Sequence, residues 1–194
     1  MARTKCFNRE EALKKAMQAF WSKGYEATSV QDLVDCMGIN RGSLYDTFGD
    51  KHKLFLEALD QYGTGSQVRL DMLCQDGDPR EILTKFLYVF MQKQVADPMR
   101  RGCFMTNAAV ELSSRDNECA ERIRVFFEEM EARLKDLIAR GQREGVFTAK
   151  RDADSLAAFF VGVMQGMRVI GKVNPNEAVL RPMADVALTV LDAA

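Results

Sequence analysis

The chain has 194 residues, 47% of them hydrophobic and 28% charged, which excludes a disordered chain and leaves ample material for a packed core. The formal net charge is −1, so composition alone nominates no nucleic-acid binder. Charge location weakens that objection, because Lys5, Lys14, Lys15, Lys23, Arg41, Lys51 and Lys53 fall in the first third while acids crowd the later segments.

The first helical pattern is carried by Ala12, Leu13, Ala16, Met17, Phe20 and Trp21, spaced three and four apart on one face. Asn8 with Glu11 resembles a capping box ahead of it, and Gly24 closes it. A second start signal follows at Thr28-Ser29-Val30-Gln31, with Thr28 expected to cap and Gln31 to reach back, leading into Val30, Leu33, Val34 and Met37. Gly38 supplies a left-handed turn, Ile39 is expected to drop into the core, and Asn40 caps a short helix containing Leu44, Tyr45 and Phe48. Two short helices around a glycine turn make a helix-turn-helix.

Gly49-Asp50 recaps the chain for a long helix through Leu54, Phe55, Ala58, Leu59 and Tyr62, expected to reach Cys74. Pro79 suits the first turn of the next helix, which carries Ile82, Leu83, Phe86, Leu87 and Phe90 and ends at Asp97-Pro98. A short helix around Phe104 to Leu112 follows, then a long one started by Ser113-Ser114-Arg115-Asp116 and ending at Gly145. Asp152-Ala153-Asp154-Ser155 opens a very apolar helix to about Val173, and Asn174-Pro175 separates it from a last helix ending near Leu191. The total is nine helices with no alternating strand pattern and no repeat, so the expected fold is all-α.

Cys6, Cys36, Cys74, Cys103 and Cys119 are odd in number, form no C-x-x-C pair and follow no secretory signal, which reads as a protein of the reduced cytoplasm. The most apolar stretch, Leu156 to Val173, is interrupted by Gln165 and Arg168 and is expected to fall short of a bilayer span, so no membrane partner is expected. There is no glycine-rich phosphate loop, no metal-ligand cluster and no Cys–His or Ser–His constellation. An enzyme, a metal site and a cofactor are therefore not expected.

Thr28-Ser29-Val30, then Gly38-Ile39, then Gly42-Ser43-Leu44-Tyr45-x-x-Phe48-x-x-Lys51-x-x-Leu54 resembles the TetR/AcrR signature. The resemblance covers about residues 8 to 60; beyond it only helix lengths match. It implies a regulator, in most members a repressor, with a DNA-binding domain at 1–52 and a ligand-binding and dimerisation domain at 53–194. The expected partners are double-stranded operator DNA, a small-molecule inducer and a second copy of the chain.

The candidate DNA-binding residues follow from the chemistry of a recognition helix, which presents short polar donors near its N-terminus and buries its other face. Asn40, Arg41, Gly42, Ser43 and Tyr45 fit, Arg41 being able to pair with guanine or sit on phosphate. Thr28 and Ser29 at one helix start, and Lys51 and His52 at another, are expected to hold phosphate. A packed role for Tyr45 and an exposed, roleless His52 remain open.

One reading head covers few base pairs, so a homodimer is expected. Ala157, Ala158, Gly162, Gly166 and Gly171 would let helices approach, and Phe159, Phe160, Val163, Met167 and Val169 supply apolar contact; the resemblance implies that the last two helices form this interface. An intramolecular core is the alternative. The resemblance also implies an inducer pocket, with candidates Tyr62, Phe86, Phe90, Phe104, Asn107, Phe127, Met130 and Met164, each equally readable as core. Ligand would then shift the long helix from Leu54 to Cys74 and change the separation of the reading heads. Cys103, after Arg100-Arg101-Gly102 at a helix start, and Cys119 are candidates for a redox or electrophile sensor, with burial as inert thiols the alternative. Control by a protein partner is a third reading, which a filled core in place of a cavity would favour.

Overall fold

The computed structural model describes residues 7–192; Lys5 of the basic set and Cys6 of the cysteines lie outside the described residues. Asn8 is extended, and its side chain accepts from the amides of Glu10 and Glu11 at 2.9 and 3.1 Å, starting α1 (Arg9–Lys23). Gly24 ends that helix at φ 88°.

The start of α2 (Val30–Met37) differs from expectation by one residue. Ser29 is the cap: its hydroxyl oxygen accepts from the Asp32 amide at 3.0 Å, and the Asp32 carboxylate accepts from the Ser29 amide at 2.9 Å. Thr28 is fully buried and its hydroxyl donates to the Gly24 carbonyl at 2.6 Å, while Gln31 donates to Asp35. The methyl of threonine can enter the core while its hydroxyl finds a carbonyl there, which leaves the smaller serine facing solvent at the helix end. Gly38 then turns the chain in the left-handed region (φ 70°, ψ 34°). Ile39 is half-buried rather than part of the core. Asn40 caps α3 (Arg41–Phe48) by accepting from the Ser43 amide at 2.8 Å.

Asp50 accepts from the Lys53 amide at the start of α4 (Lys51–Leu70), whose last turn tightens into a 3₁₀ turn at Asp71–Cys74. Asp78 caps α5 (Pro79–Val95), with Pro79 in its first turn. Then come α6 (Phe104–Leu112), α7 (Asn117–Arg143), α8 (Ala153–Val173) and α9 (Glu177–Thr189). Among the described residues there are nine α-helices and no strand, as the periodicity predicts.

The chain divides into two compact units, one reaching through Gly65 and including Cys103–Ile123, the other Ser66–Gly102 with Arg124 onward. In the first, α1 packs on α2 and α2 on α3. A run of edge-to-face aromatic pairs organises its centre: Phe20 and Tyr25 meet Phe55 at 5.1 and 4.8 Å, Phe55 meets Phe104 at 5.5 Å, and Tyr62 meets Phe104 at 5.8 Å and Trp21 at 5.1 Å. Such pairs add about 0.5–1.5 kcal/mol each beyond burial.

In the second unit α5 packs against both α8 and α9, which also pack on each other. Tyr88 donates to Asp185 at 2.7 Å, and Arg80 pairs with Asp192 at 2.6 Å. After α7 the chain folds Phe147 back over its own helix, where a Cβ placed on Gly141 would lie 2.2 Å from the ring. By length and composition α8 does reach what a bilayer crossing takes, contrary to the expectation that Gln165 and Arg168 interrupt it. Those two residues sit on the helix without shortening its apolar run, and eight of its residues, Arg168 among them, are buried within this unit.

Candidate functional site

Two arrangements carry functional chemistry, one in each unit. The first is the outward face of α3. Leu44 and Phe48 are buried, so the opposite side, with Arg41, Gly42 and Tyr45, stands in solvent toward the N-terminal end of the helix. Tyr45 is 41% exposed, high for so large an aromatic, and the Arg41 guanidinium lies 6.0 Å from its ring centre. Apart from its chain neighbours and its own helix backbone, a Cβ on Gly42 would meet only the side-chain oxygen of Asn40, at 3.3 Å, so a partner can approach the backbone there. Asn40 is exposed and occupied with capping, and Ser43 is half-buried.

The remaining sequence candidates around this face are differently disposed. Ser29 is exposed at the start of α2, whereas Thr28 is buried beneath it. The Lys51 ammonium lies 4.3 Å over the Tyr25 ring, and Nε2 of His52 is 2.7 Å from Asp116. Both side chains are half-buried and engaged within the unit.

The helix-turn-helix is tied from behind by groups that the sequence reading missed. The Glu111 carboxylate, from α6, accepts the backbone amides of Tyr25 and Glu26 at 3.0 and 2.8 Å, and Arg115 pairs with Glu26 at 3.2 Å. A charged acceptor shared by two amides is a strong arrangement. Asp116 accepts from the Cys119 amide and from His52; burial pushes its carboxyl up, but these bonds outweigh it and hold the group below its ordinary value.

The second arrangement is a cavity in the other unit, between the end of α4, α5, α7 and α8. Phe86, Phe90, Met130 and Met164 line it, four of the eight pocket candidates. Its volume is ≈ 20 Å³, about the room one water needs. Tyr62 and Phe104 instead belong to the aromatic run of the first unit, and Asn107 is half-buried on α6. Phe127 is half-buried beside Phe126, and it is Phe126 that lines the cavity.

The cavity also holds polar groups that the sequence reading did not nominate: Ser66, Arg69 and Arg168. Arg168 is 5% exposed, donates to the Gln165 side-chain oxygen at 3.1 Å and lies 4.8 Å over Phe90. A signal for it was available, since Arg168 follows Phe160 and Met164 at eight- and four-residue spacing and so shares their buried face.

Cys103 and Cys119 are both buried. Burial and then the Asp116 carboxylate push the Cys119 thiol up to about 12. The Tyr62 hydroxyl donates to Cys103 Sγ at 3.5 Å, and the Arg101 guanidinium is paired with Asp97 at 3.2 Å. The expected interface residues named by number all lie on α8 and fall into three sets. Ala157, Phe160, Met167 and Gly171 are buried against their own chain, Ala158, Phe159 (43% exposed), Gly162 and Val169 (57%) face outward, and Val163 and Gly166 are half-buried.

Comparisons with known proteins agree with this anatomy. Residues 12–58 match the model of bacterial regulatory proteins of the tetR family, and residues 79–185 match that of the tetracyclin repressor-like C-terminal domain. The chain is 29% identical over 191 residues to the HTH-type transcriptional repressor ComR of Escherichia coli strain K12, covering 97% of this chain and 90% of that protein. It is 32% identical over 201 residues to the HTH-type transcriptional regulator YezE of Bacillus subtilis strain 168, covering 99% and 100%. Among solved structures, a cysteine mutant of the TetR family regulator CifR complexed with 26-bp operator DNA superposes with a TM-score of 0.87 at 30% identity, covering 98% of this chain and 100% of that one. With a family model spanning more than half its length, this chain belongs to the TetR family of transcriptional regulators, which are not enzymes.

Proposed function

We propose that the protein is an operator-binding repressor that acts in the cytoplasm as a homodimer and leaves DNA when a small molecule occupies the second unit. Residues 1–52 read DNA in this reading, and 53–194 dimerise and hold the effector. The observation that carries the DNA half is the solvent-facing end of α3, where Arg41, Gly42 and Tyr45 stand clear of the core that Leu44 and Phe48 fill. Asn40, Ser43 and Ser29 surround it. Thr28, Lys51 and His52 are better read as positioning the helices, because their side chains are already occupied within the unit. That ComR is named a repressor and CifR was seen on operator DNA supports the same assignment.

The effector half rests on a cavity whose apolar lining includes a buried cation. Because α4 has residues in both compact units, ligand-driven displacement of its C-terminal turns is a direct route to the reading heads. A second reading, control by a protein partner, is favoured by the cavity's ≈ 20 Å³, which a small molecule must enlarge. The thiol-sensor reading is weakened by burial of both Cys103 and Cys119.

Fluorescence anisotropy of the full chain with the DNA upstream of its own gene tests the assignment. Saturable binding is expected, salt-sensitive through its phosphate contacts, weakened about 5- to 150-fold by Arg41→Ala and lowered by Tyr45→Ala, with Cys103→Ser unchanged in the presence and absence of oxidant. Equal affinity of wild type and both α3 variants would remove the assignment of the reading face.

A further inference from the structure

We propose that the effector of the second unit is an amphiphilic carboxylate, an apolar body bearing one carboxylate group that pairs with Arg168. The inference rests on reading the cavity as the effector site and goes on to name the chemistry of its occupant.

A guanidinium removed from water is stable only when its charge and its five N–H donors find partners. Arg168 is 95% buried by its 5% exposure, yet its contacts are a neutral amide oxygen and an aromatic face, and among the described residues no carboxylate pairs with it. This contrasts with Arg80, Arg101 and Arg122 in the same chain, each of which meets an aspartate at 2.6–3.3 Å. A buried guanidinium that meets no carboxylate and lines a cavity is placed to receive an anionic group there.

The neighbourhood adds positive charge. Arg69 lines the same cavity and donates to the Ser66 hydroxyl at 2.8 Å. Burial, and after it the charge of Arg69, lowers the Lys93 ammonium on α5. The remaining walls are apolar: Phe86, Phe90, Phe126, Met72, Met130 and Met164. A fully polar anion such as phosphate would leave those walls unfilled, and a hydrocarbon would leave the guanidinium unpaired. A carboxylate accepts two parallel N–H donors from one guanidinium, and an apolar tail fits the rings and thioethers. The three methionines change rotamer readily, which gives a nearly closed cavity the means to open along a chain.

The test is calorimetric titration of the full chain with octanoate and with octan-1-ol, which share a tail and differ in the head group, using wild type, Arg168→Met and Arg168→Lys. Wild type is expected to bind octanoate at least ten-fold more tightly than the alcohol, Arg168→Met to lose that preference while still taking the alcohol, and Arg168→Lys to keep part of it. The apo Arg168→Met variant should melt no lower than wild type, since it removes an uncompensated buried charge; a lower Tm would make Arg168 a structural residue. Equal affinity for acid and alcohol in wild type, or a preference untouched in Arg168→Met, would overturn the carboxylate while leaving the cavity as the effector site. Binding of neither probe would overturn both.

Discussion

Nε2 of His52 and Oδ2 of Asp116 lie 2.7 Å apart, joining the first turn of α4 to the cap of α7 within one compact unit. Because the folded state holds the Asp116 carboxyl below its ordinary 3.8, the unfolded chain takes up a proton here at higher pH than the native one does. The stabilisation is therefore complete above about pH 5, where the unfolded group is also ionised, declines as pH falls through 3.8 and is lost below the native value. In melting experiments across pH 2.5 to 6, Asp116→Asn should flatten the acid limb of the Tm profile relative to wild type. An unchanged limb would mean that other carboxylates account for it.

The capping box at α2 makes a second prediction. Ser29→Ala removes the acceptor for the Asp32 amide and should cost about 1 kcal/mol in chemical denaturation. Gln31→Ala, which removes only a bond to Asp35 on the solvent side, should stay within about 0.5 kcal/mol. Reversed magnitudes would return the cap to the Thr28 and Gln31 pair.

Glu111 offers a third. Replacing it with alanine strips the acceptor from the amides of Tyr25 and Glu26. Hydrogen exchange should then accelerate at those two amides and through the start of α2, while amides at the centre of α8 stay protected. Unchanged exchange at Tyr25 and Glu26 would show that the loop holds its shape without the carboxylate.

The two faces of α8 should separate in a fourth. Phe159→Glu combined with Val169→Glu alters outward positions and, under the proposed dimer, should give a monomer by sedimentation velocity with unchanged helical circular dichroism. Phe160→Ala, one residue from the first site but fully buried, should instead lower stability by about 3–5 kcal/mol without changing the mass. A double variant that sediments as wild type would move the interface elsewhere.

Much of this architecture was legible because local chemistry dictated it. The span Phe104 to Leu112 is read as a short helix and observed as such, Asn40 is a cap in both sequence and structure, and Asp152 opens α8 in both. What escaped depended on three dimensions. Thr28 and Ser29 are both capping residues, and only the depth of the core beneath Thr28 sorts them. Ala157 and Ala158 are indistinguishable as letters, yet one is buried and the other exposed. Arg168 read as an interruption of an apolar run when it was a buried group of the cavity, because a lone charge in a sequence gives no hint of whether a partner waits for it. Tyr62 and Phe104 read as pocket residues by composition, and their rings are committed to each other.

The ring of Phe147 lying against Gly141 joins the evolutionary fates of two positions six residues apart. Any side chain at 141 would meet that ring at a separation no carbon pair tolerates, so a lineage that leaves glycine must first, or at once, shrink the aromatic. Among descendants of this chain the two sites should change together, and a bulky residue at 141 beside a retained phenylalanine at 147 should mark a corner that has been rebuilt.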